Sequence, residues 1–307
     1  MTKIVFMGTP AFAVPTLRVL AERGFVAGVV TQPDRPAGRG QQVAESPVKL
    51  LAVELRLPVI QPLRLSDVAA MAQLHAWQPD LIIVAAFGQI LRPDVLTLPP
   101  LGCVNIHASL LPRHRGAAPI AAAILAGDPE TGVTIMRMDA GLDTGPAFSI
   151  RKEPIRPDDT TLTLAERLAE VGATLLMETL PRILDGTAVA QPQDEAAANF
   201  APRMEKEDGH LDFSRPAVEL ERRVRAVTPW PGAYALWEGR PLKVLRAALR
   251  PQAAGQPGVV MASEAGPVVA CQAGGLALVE VQAAGKKPMP GTTFARGARG
   301  FIGATLT

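Results

Sequence analysis

Asn105 and His107 stand two residues apart in the run Cys103-Val104-Asn105-Ile106-His107, and residues two apart on a strand project from the same face. An apolar turn, Ala108-Ser109-Leu110-Leu111-Pro112, follows and leads into Arg115-Gly116-Ala117-Ala118-Pro119. Further on, Met138-Asp139-Ala140-Gly141-Leu142-Asp143-Thr144-Gly145 sets two carboxylates in a glycine-rich loop between two expected strands. An amide, an imidazole and a carboxylate gathered at one sheet edge suit acyl transfer to an amine. The amide and an imidazolium stabilise charge on the oxygen of a tetrahedral intermediate, and a carboxylate-oriented histidine relays the proton that the attacking ammonium loses. A lone histidine at a strand end is more often structural; the combined spacing is what favours chemistry.

The elements that must hold these residues alternate along the chain. Lys3 to Met7 reads as a buried strand ending at Gly8, and Val14 to Arg23 shows apolar residues at helical spacing before Gly24. Strands are expected at Val26 to Thr31, Val59 to Gln61, Leu81 to Ala86, Cys103 to His107, Val133 to Asp139 and Ala147 to Ile150. Helices are expected from Pro47 behind Ser46 as N-cap, over Asp67 to Trp77, near Pro119 to Leu125, and over Thr161 to Leu184. Strands separated by helices imply a doubly wound, mostly parallel (Rossmann-like) α/β sheet covered on both faces. Such sheets bind ligands at the carboxyl ends of their strands, where Asn105 and His107 fall. Met7-Gly8-Thr9-Pro10 lacks the Gly-x-Gly-x-x-Gly pattern of a dinucleotide loop and reads as a tight strand-to-helix turn, so a nicotinamide cofactor is not expected.

From Gly186 to Arg203 the periodicity fades into Ala, Gln, Pro and acidic residues, the composition of a linker. The expected organisation is a catalytic domain over residues 1–189, a linker over 190–205 and a small OB-like β-barrel over 206–307. The barrel begins with a helix, Ala217 to Ala226, and continues in short β-type runs: Pro241 to Arg246, Val268 to Cys271 and Leu276 to Val281. Trp230-Pro231-Gly232 is expected to pack between that helix and the barrel. The formal charge of +2 is unevenly spread: residues 1–205 carry 18 Lys+Arg against 21 Asp+Glu, and residues 206–307 carry 13 against 8. A basic C-terminal part is what a module approaching phosphates would need, although such a face is often merely solvated. Cys103 and Cys271 lie far apart and lack metal-ligand spacing, so neither a disulfide framework nor a zinc site is expected. Apolar runs such as Leu81 to Phe87 fall far short of the roughly 20 residues that cross a bilayer, and the chain opens on a strand-like segment rather than a signal peptide. A cytoplasmic protein follows as the expectation.

Four segments bear a near full-length resemblance to the methionyl-tRNA formyltransferase family. They are Phe6 to Pro10, Thr31-Gln32-Pro33-Asp34-Arg35-Pro36-Ala37-Gly38-Arg39-Gly40, Asn105 to Pro119, and Met138 to Gly145; Trp230-Pro231-Gly232 and Ala284-Gly285-Lys286-Lys287 look like the family's C-terminal region. The Asn-x-His and Ser-Leu-Leu-Pro motifs are shared by folate-dependent formyltransferases generally, whereas the Arg39 loop is specific to the tRNA enzymes. The resemblance implies that Asn105, His107 and Asp143 are catalytic and that Ser109, Leu110, Leu111 and Pro112 line the pocket for 10-formyltetrahydrofolate, with no metal. It implies a formyl transfer onto the α-amino group of methionine on initiator tRNA. Arg35 and Arg39 would then enter the acceptor end of the tRNA, and Lys206, Lys286 and Lys287 of the basic barrel would contact it, the enzyme working as a monomer. Where family members often carry a lysine pair after Gly-Arg-Gly, this chain has Gln41-Gln42-Val43-Ala44-Glu45, which weakens the loop's charge.

Other readings stay open at this level, among them a purine-biosynthesis formyltransferase, which would normally lack the second domain. An amino-sugar nucleotide formyltransferase can share both domains and the Asn-x-His core, and the Arg39 loop argues against it. An RNA-binding protein without catalysis could use the same scaffold, and the intact Asn105, His107 and Asp143 argue against that.

Overall fold

A computed structural model describes residues 2–37, 42–264 and 266–307. Its contacts divide the chain into two units, one of Met1–Pro119, Glu130–Pro154 and Ala165–Ala201, the other of Ile120–Pro129, Ile155–Leu164 and Pro202–Thr307. The strands of the first unit are β1 (Ile4–Gly8), β2 (Val26–Val30), β3 (Arg35–Ala37), β4 (Gln42–Ala44), β5 (Val59–Ile60), β6 (Leu81–Ala85), β7 (Cys103–His107), β8 (Arg115–Gly116), β9 (Glu130–Arg137), β10 (Ala147–Pro154) and β11 (Phe200–Ala201). The helices interspersed with them in sequence are α1 (Val14–Glu22), α2 (Pro47–Glu54), α3 (Val68–Trp77), α4 (Pro93–Leu96), α5 (Pro119–Ala126) and α6 (Thr161–Leu184), of which α5 beyond Pro119 and the first turn of α6 belong to the second unit. Local signals set several of these boundaries. Ser46 Oγ accepts the N–H of Lys49 and Pro47 fills the first turn of α2, where its missing N–H leaves no bond unmade.

Seven strands form one sheet in the order β10-β9-β7-β6-β1-β2-β5. The five from β7 to β5 run parallel. Strands β1, β6 and β7 are buried at every residue, as their near-continuous apolar sequences require of strands covered on both faces. One face packs Val5, Met7, Ile82, Val84 and Cys103 against Leu74, Leu91 and Val95. Ile106, pointing the other way, meets α6 at Gly172, where a Cβ would lie 2.9 Å from Ile106 Cγ2. Burying each such side chain contributes about 1.5–3 kcal/mol, so the strand that carries the polar pair is anchored by its apolar neighbours.

At the far edge, β9 is antiparallel to β7 and β10 antiparallel to β9. The glycine-rich loop joining β9 to β10 is too short for a parallel crossover, and reversal is the connection it allows. Chain order runs outward from β1 to β2 and β5, then returns to β6 on the other side of β1. The order therefore reverses between β1 and β6, which opens a crevice at their carboxyl ends.

The second unit contains α7 (Ala217–Ala226), β12 (Tyr234–Trp237), β13 (Arg240–Arg250), β14 (Val260–Met261), β15 (Val268–Ala270), β16 (Gly275–Ala283), β17 (Met289–Pro290) and α8 (Gly291–Gly297). Its sheet is antiparallel in the order β12-β13-β16-β15-β14, with β17 also on β16. The backbone of 304–307 bonds to Gly258 and Val260 beside β14 and to Leu236 of β12, which joins the two edge strands and closes the sheet on itself. Inside are Leu220, Val224, Val244, Leu278 and Val281, and Trp237, Phe294 and Phe301 meet edge to face at 4.9–5.6 Å. Trp230 departs from expectation: its side chain is exposed, because it sits in the turn beyond α7 while Pro231 and Gly232 make the packing contact, against Gly209. Among the described residues, no helix is long and apolar enough to cross a membrane.

Candidate active site

Asn105 and His107 project from β7 on the side away from α6, both buried. Register sets Asn105 opposite Val84 of β6 and Met136 of β9, and His107 opposite Thr134 of β9. The loop after β9 brings Asp143 to the pair. Asp143 Oδ2 lies 3.6 Å from His107 Nδ1, and Asp143 Oδ1 accepts a long hydrogen bond, 3.4 Å, from Asn105 Nδ2. On its other side the imidazole meets the backbone carbonyl of His114, 3.0 Å from Nε2. A carbonyl only accepts, so Nε2 carries the proton. The free ring position is then Nδ1: an acceptor in neutral imidazole, a donor in imidazolium, and in either form facing the Asp143 carboxylate.

The apolar turn closes over the end of β7. Thr134 Oγ1 donates to the carbonyl of Ser109 at 2.7 Å and accepts the N–H of Leu111 at 3.2 Å, while Ser109 Oγ donates to the carbonyl of Arg113 at 2.6 Å. Ser109 and Leu111 are thereby buried, and Leu110 and Pro112 stay half-buried, leaving apolar surface beside the polar cluster.

Residues 190–205, expected to be a linker, depart from that expectation. Gln191 exchanges backbone hydrogen bonds with Ala147, and Phe200–Ala201 pairs in parallel with Arg115–Gly116. Asn199 accepts from the backbone of His114 with its side chain and from the backbone of Arg115 with its carbonyl. Arg115, almost wholly buried, donates to Gln193 Oε1 from Nε (3.1 Å) and Nη2 (2.8 Å) and makes a two-pronged pair with Glu195 at 2.9 and 2.7 Å. The Glu195 hydrogen bond raises the Arg115 guanidinium above its ordinary pKa and holds the Glu195 carboxyl below its own. Gln193 Nε2 donates to the carbonyls of Asp143 and Gly145, at 2.8 and 2.6 Å. Gly116 N–H donates to Asp143 Oδ2 at 2.9 Å, at a backbone φ of +116° and with Ala201 O only 2.6 Å from where a Cβ would stand. Only glycine fits there. Sequence reading passed over this strap because its bonds are polar and its residues show no apolar period.

At the crevice between β1 and β6, Thr9 Oγ1 donates to the carbonyl of Phe87 at 3.1 Å and accepts from Gln32 N–H at 3.3 Å. Beyond β2, Arg35 reaches Gln32 Oε1 at 3.2 Å, and Lys49 is paired with Asp34 and with Glu45 (2.8 Å) at the base of the β3–β4 hairpin. Hydrogen bonding to Lys49 holds the Asp34 carboxyl low and to Asp34 holds the Lys49 ammonium high. Arg39, with Gly38 and Gly40, lies outside the described residues. Lys206, Lys286 and Lys287 are exposed on the second unit, and among the described residues none of the three forms an ion pair. The structure thus brings together Asn105, His107 and Asp143 and sets Ser109 to Pro112 beside them, while Lys206, Lys286 and Lys287 belong to the second unit and Arg39 lies outside the described residues. Among the described residues, no group of three or more His, Cys, Asp or Glu is arranged to hold a metal ion.

A family model described as formyl transferase matches residues 2–180, and one described as formyl transferase, C-terminal domain, matches residues 203–299. The methionyl-tRNA formyltransferase of Roseiflexus sp. (strain RS-1) is 49% identical over 301 residues, covering 97% of this chain and 93% of its own. That of Nitrosococcus oceani is 51% identical over 290 residues, covering 93% and 90%. Among solved structures, WlaRD, a sugar 3N-formyl transferase, superposes with a TM-score of 0.68 at 19% identity, covering 94% of this chain and 99% of that one. HypX from Aquifex aeolicus in complex with tetrahydrofolic acid does so with 0.64 at 20%, covering 95% and 46%. At such identities the likeness is one of fold.

Proposed function

This chain belongs to the methionyl-tRNA formyltransferase family, and from that premise we propose that it transfers the formyl group of 10-formyltetrahydrofolate to the α-amino group of methionine on initiator tRNA. The observation that carries the reading is the meeting of Asn105, His107 and Asp143 at the carboxyl end of β7, beside the crevice where the strand order reverses.

Bound folate supplies the formyl carbon. In the reaction a nitrogen–carbon bond to methionine forms, the carbon–nitrogen bond to the folate breaks, and one proton passes from the attacking nitrogen to the leaving one. Asn105 Nδ2, tied among the described residues by its 3.4 Å bond to Asp143, is free to turn a proton toward the carbonyl oxygen. His107 is locked by its Nε2 bond and offers Nδ1 alone; as imidazolium it stabilises the developing oxyanion, with Asp143 balancing its charge. Asp143 and Nδ1 also stand where the amine's proton can be held. Leu110 and Pro112 form the wall against which the folate rests, within the turn of Ser109 to Pro112.

Residues 1–189 carry this chemistry and residues 206–307, with their excess of positive charge, hold the tRNA through Lys206, Lys286 and Lys287, while Arg35 and Arg39 approach the acceptor end. Unpaired lysines on an exposed surface support the phosphate role. The enzyme acts as a monomer in the cytoplasm, where initiator tRNA is charged. Incubation with 10-formyltetrahydrofolate and either initiator Met-tRNA or an amino-sugar nucleotide tests the assignment. Formyl on the methionine supports it; formyl on the sugar amine alone refutes it.

A further inference from the structure

Resting on the role just given to Asp143, we propose that Gln193 is a positioning residue for the reaction: clamped by Arg115, its amide sets the backbone of the loop that presents Asp143 to His107. Gln193 Oε1 faces the donors of Arg115, and its Nε2 faces two carbonyls. The amide orientation is fixed from both sides, since a flip would set oxygen against carbonyls and NH2 against a guanidinium. Only a carboxamide satisfies both ends; a carboxylate of the same shape would repel the carbonyls of Asp143 and Gly145.

Asp143 needs such help. Its φ of +54° lies in the left-handed region that non-glycine residues seldom adopt, and a residue held there depends on its surroundings. Besides the long bond from Asn105, its side chain is gripped by Gly116 N–H and its main chain by Gln193. Both grips lead back to Arg115, whose backbone neighbour is Gly116 and whose buried guanidinium orients Gln193. The clamp is completed from the surface by Glu195, whose side chain is 70% exposed. Gln193 thus reaches the reacting atoms only through Asp143. A misplacement of about 1 Å at a catalytic group can cost about 100-fold in rate.

The test compares full-length wild type with Gln193→Met, the isosteric Gln193→Glu, Glu195→Gln, Asp143→Asn and the double variant Gln193→Met/Asp143→Asn. Steady-state formylation of initiator Met-tRNA by 10-formyltetrahydrofolate is measured alongside melting temperature and folate binding. Both Gln193 variants should lower kcat by roughly 10–100-fold with KM for either substrate changed less than about twofold. Glu195→Gln, on the surface and safe to fold, should lower kcat by a smaller factor, about threefold to tenfold, because Arg115 keeps part of its fork satisfied. The double variant should be no more than about twofold slower than Asp143→Asn, since a residue acting through Asp143 loses its effect once the carboxylate is gone. Unchanged kcat in Glu195→Gln and in a folded Gln193 variant, a rise in KM alone, or losses that multiply in the double variant would each overturn the proposal. No formyl transfer by wild type would overturn the functional reading with it, whereas an active wild type beside unaffected Gln193 variants overturns the proposal alone.

Discussion

His107 Nδ1 and Asp143 Oδ2 face each other across 3.6 Å, a separation too long for a hydrogen bond and close enough for the carboxylate to balance a protonated imidazole, while His107 Nε2 is spent on the carbonyl of His114. The ring is therefore fixed in place by one nitrogen and faces the Asp143 carboxylate with the other. His107→Ala should lower turnover by about two to four orders of magnitude and leave folate binding nearly intact. Near-normal turnover in a folded variant would remove His107 from the mechanism.

Replacing the carboxylate with its amide separates charge from shape. Asp143→Asn can still accept from Gly116 N–H through its oxygen, but its NH2 then faces the NH2 of Asn105, and no negative charge balances an imidazolium. Turnover should fall by about 100-fold or more with melting temperature unchanged or slightly raised. If the variant formylates at the wild-type rate, Asp143 serves only the loop.

The attacking amine is useful only when neutral, and an ordinary α-amino group titrates near ~7.7–8.0. Single-turnover formylation should accordingly rise from acid toward neutral pH. A flat profile between about pH 5 and 8 would contradict attack by a titrating amine in the limiting step.

Arg39 stands between two glycines in the sequence, and in the role proposed for it the guanidinium would make paired hydrogen bonds to RNA that the glycine-flanked backbone can approach. Arg39→Ala should strongly reduce formylation of Met-tRNA with folate binding unchanged, and Arg39→Lys should restore only part, because it keeps charge and loses the fork. Added salt should weaken tRNA binding in wild type and Arg39→Ala alike, with only a slight change of slope. Loss of folate binding instead would assign the loop another role.

Burial pushes the Cys103 thiol up to about 12 and the Cys271 thiol up to about 11. Neither should react appreciably with a thiolate-seeking reagent in the native protein at pH 8, and both should label on unfolding. Rapid native labelling of Cys103 would mean that β7, which carries it and the candidate catalytic pair, opens readily.

Where apolar spacing decided the outcome, sequence and structure coincide: the bounds of α6 and of β7 fall where the periodicity set them. Ser46 caps α2 as its side-chain chemistry required. Asn105 and His107 were legible because a strand's period of two leaves little choice of face. The union of Asp143 with them was suggested by residue types, while its geometry depends on contacts distant in sequence. Gln193, Glu195 and Asn199 were illegible for a physical reason: a polar strap satisfied by backbone groups leaves the composition of a linker. The antiparallel pair β9 and β10 was hidden likewise, since strand direction is set by the connection and not by the strands' own residues.

Position 143 asks two incompatible things of one residue. Its left-handed backbone suits glycine or asparagine, which adopt that conformation at less cost than aspartate, while the proposed chemistry wants a carboxylate. Selection for heat resistance alone would drift toward asparagine or glycine here and report success at every step, even as turnover disappeared. Durability and catalysis therefore pull in opposite directions at a single codon, and a stabilised version of this enzyme has to be chosen with that codon held fixed.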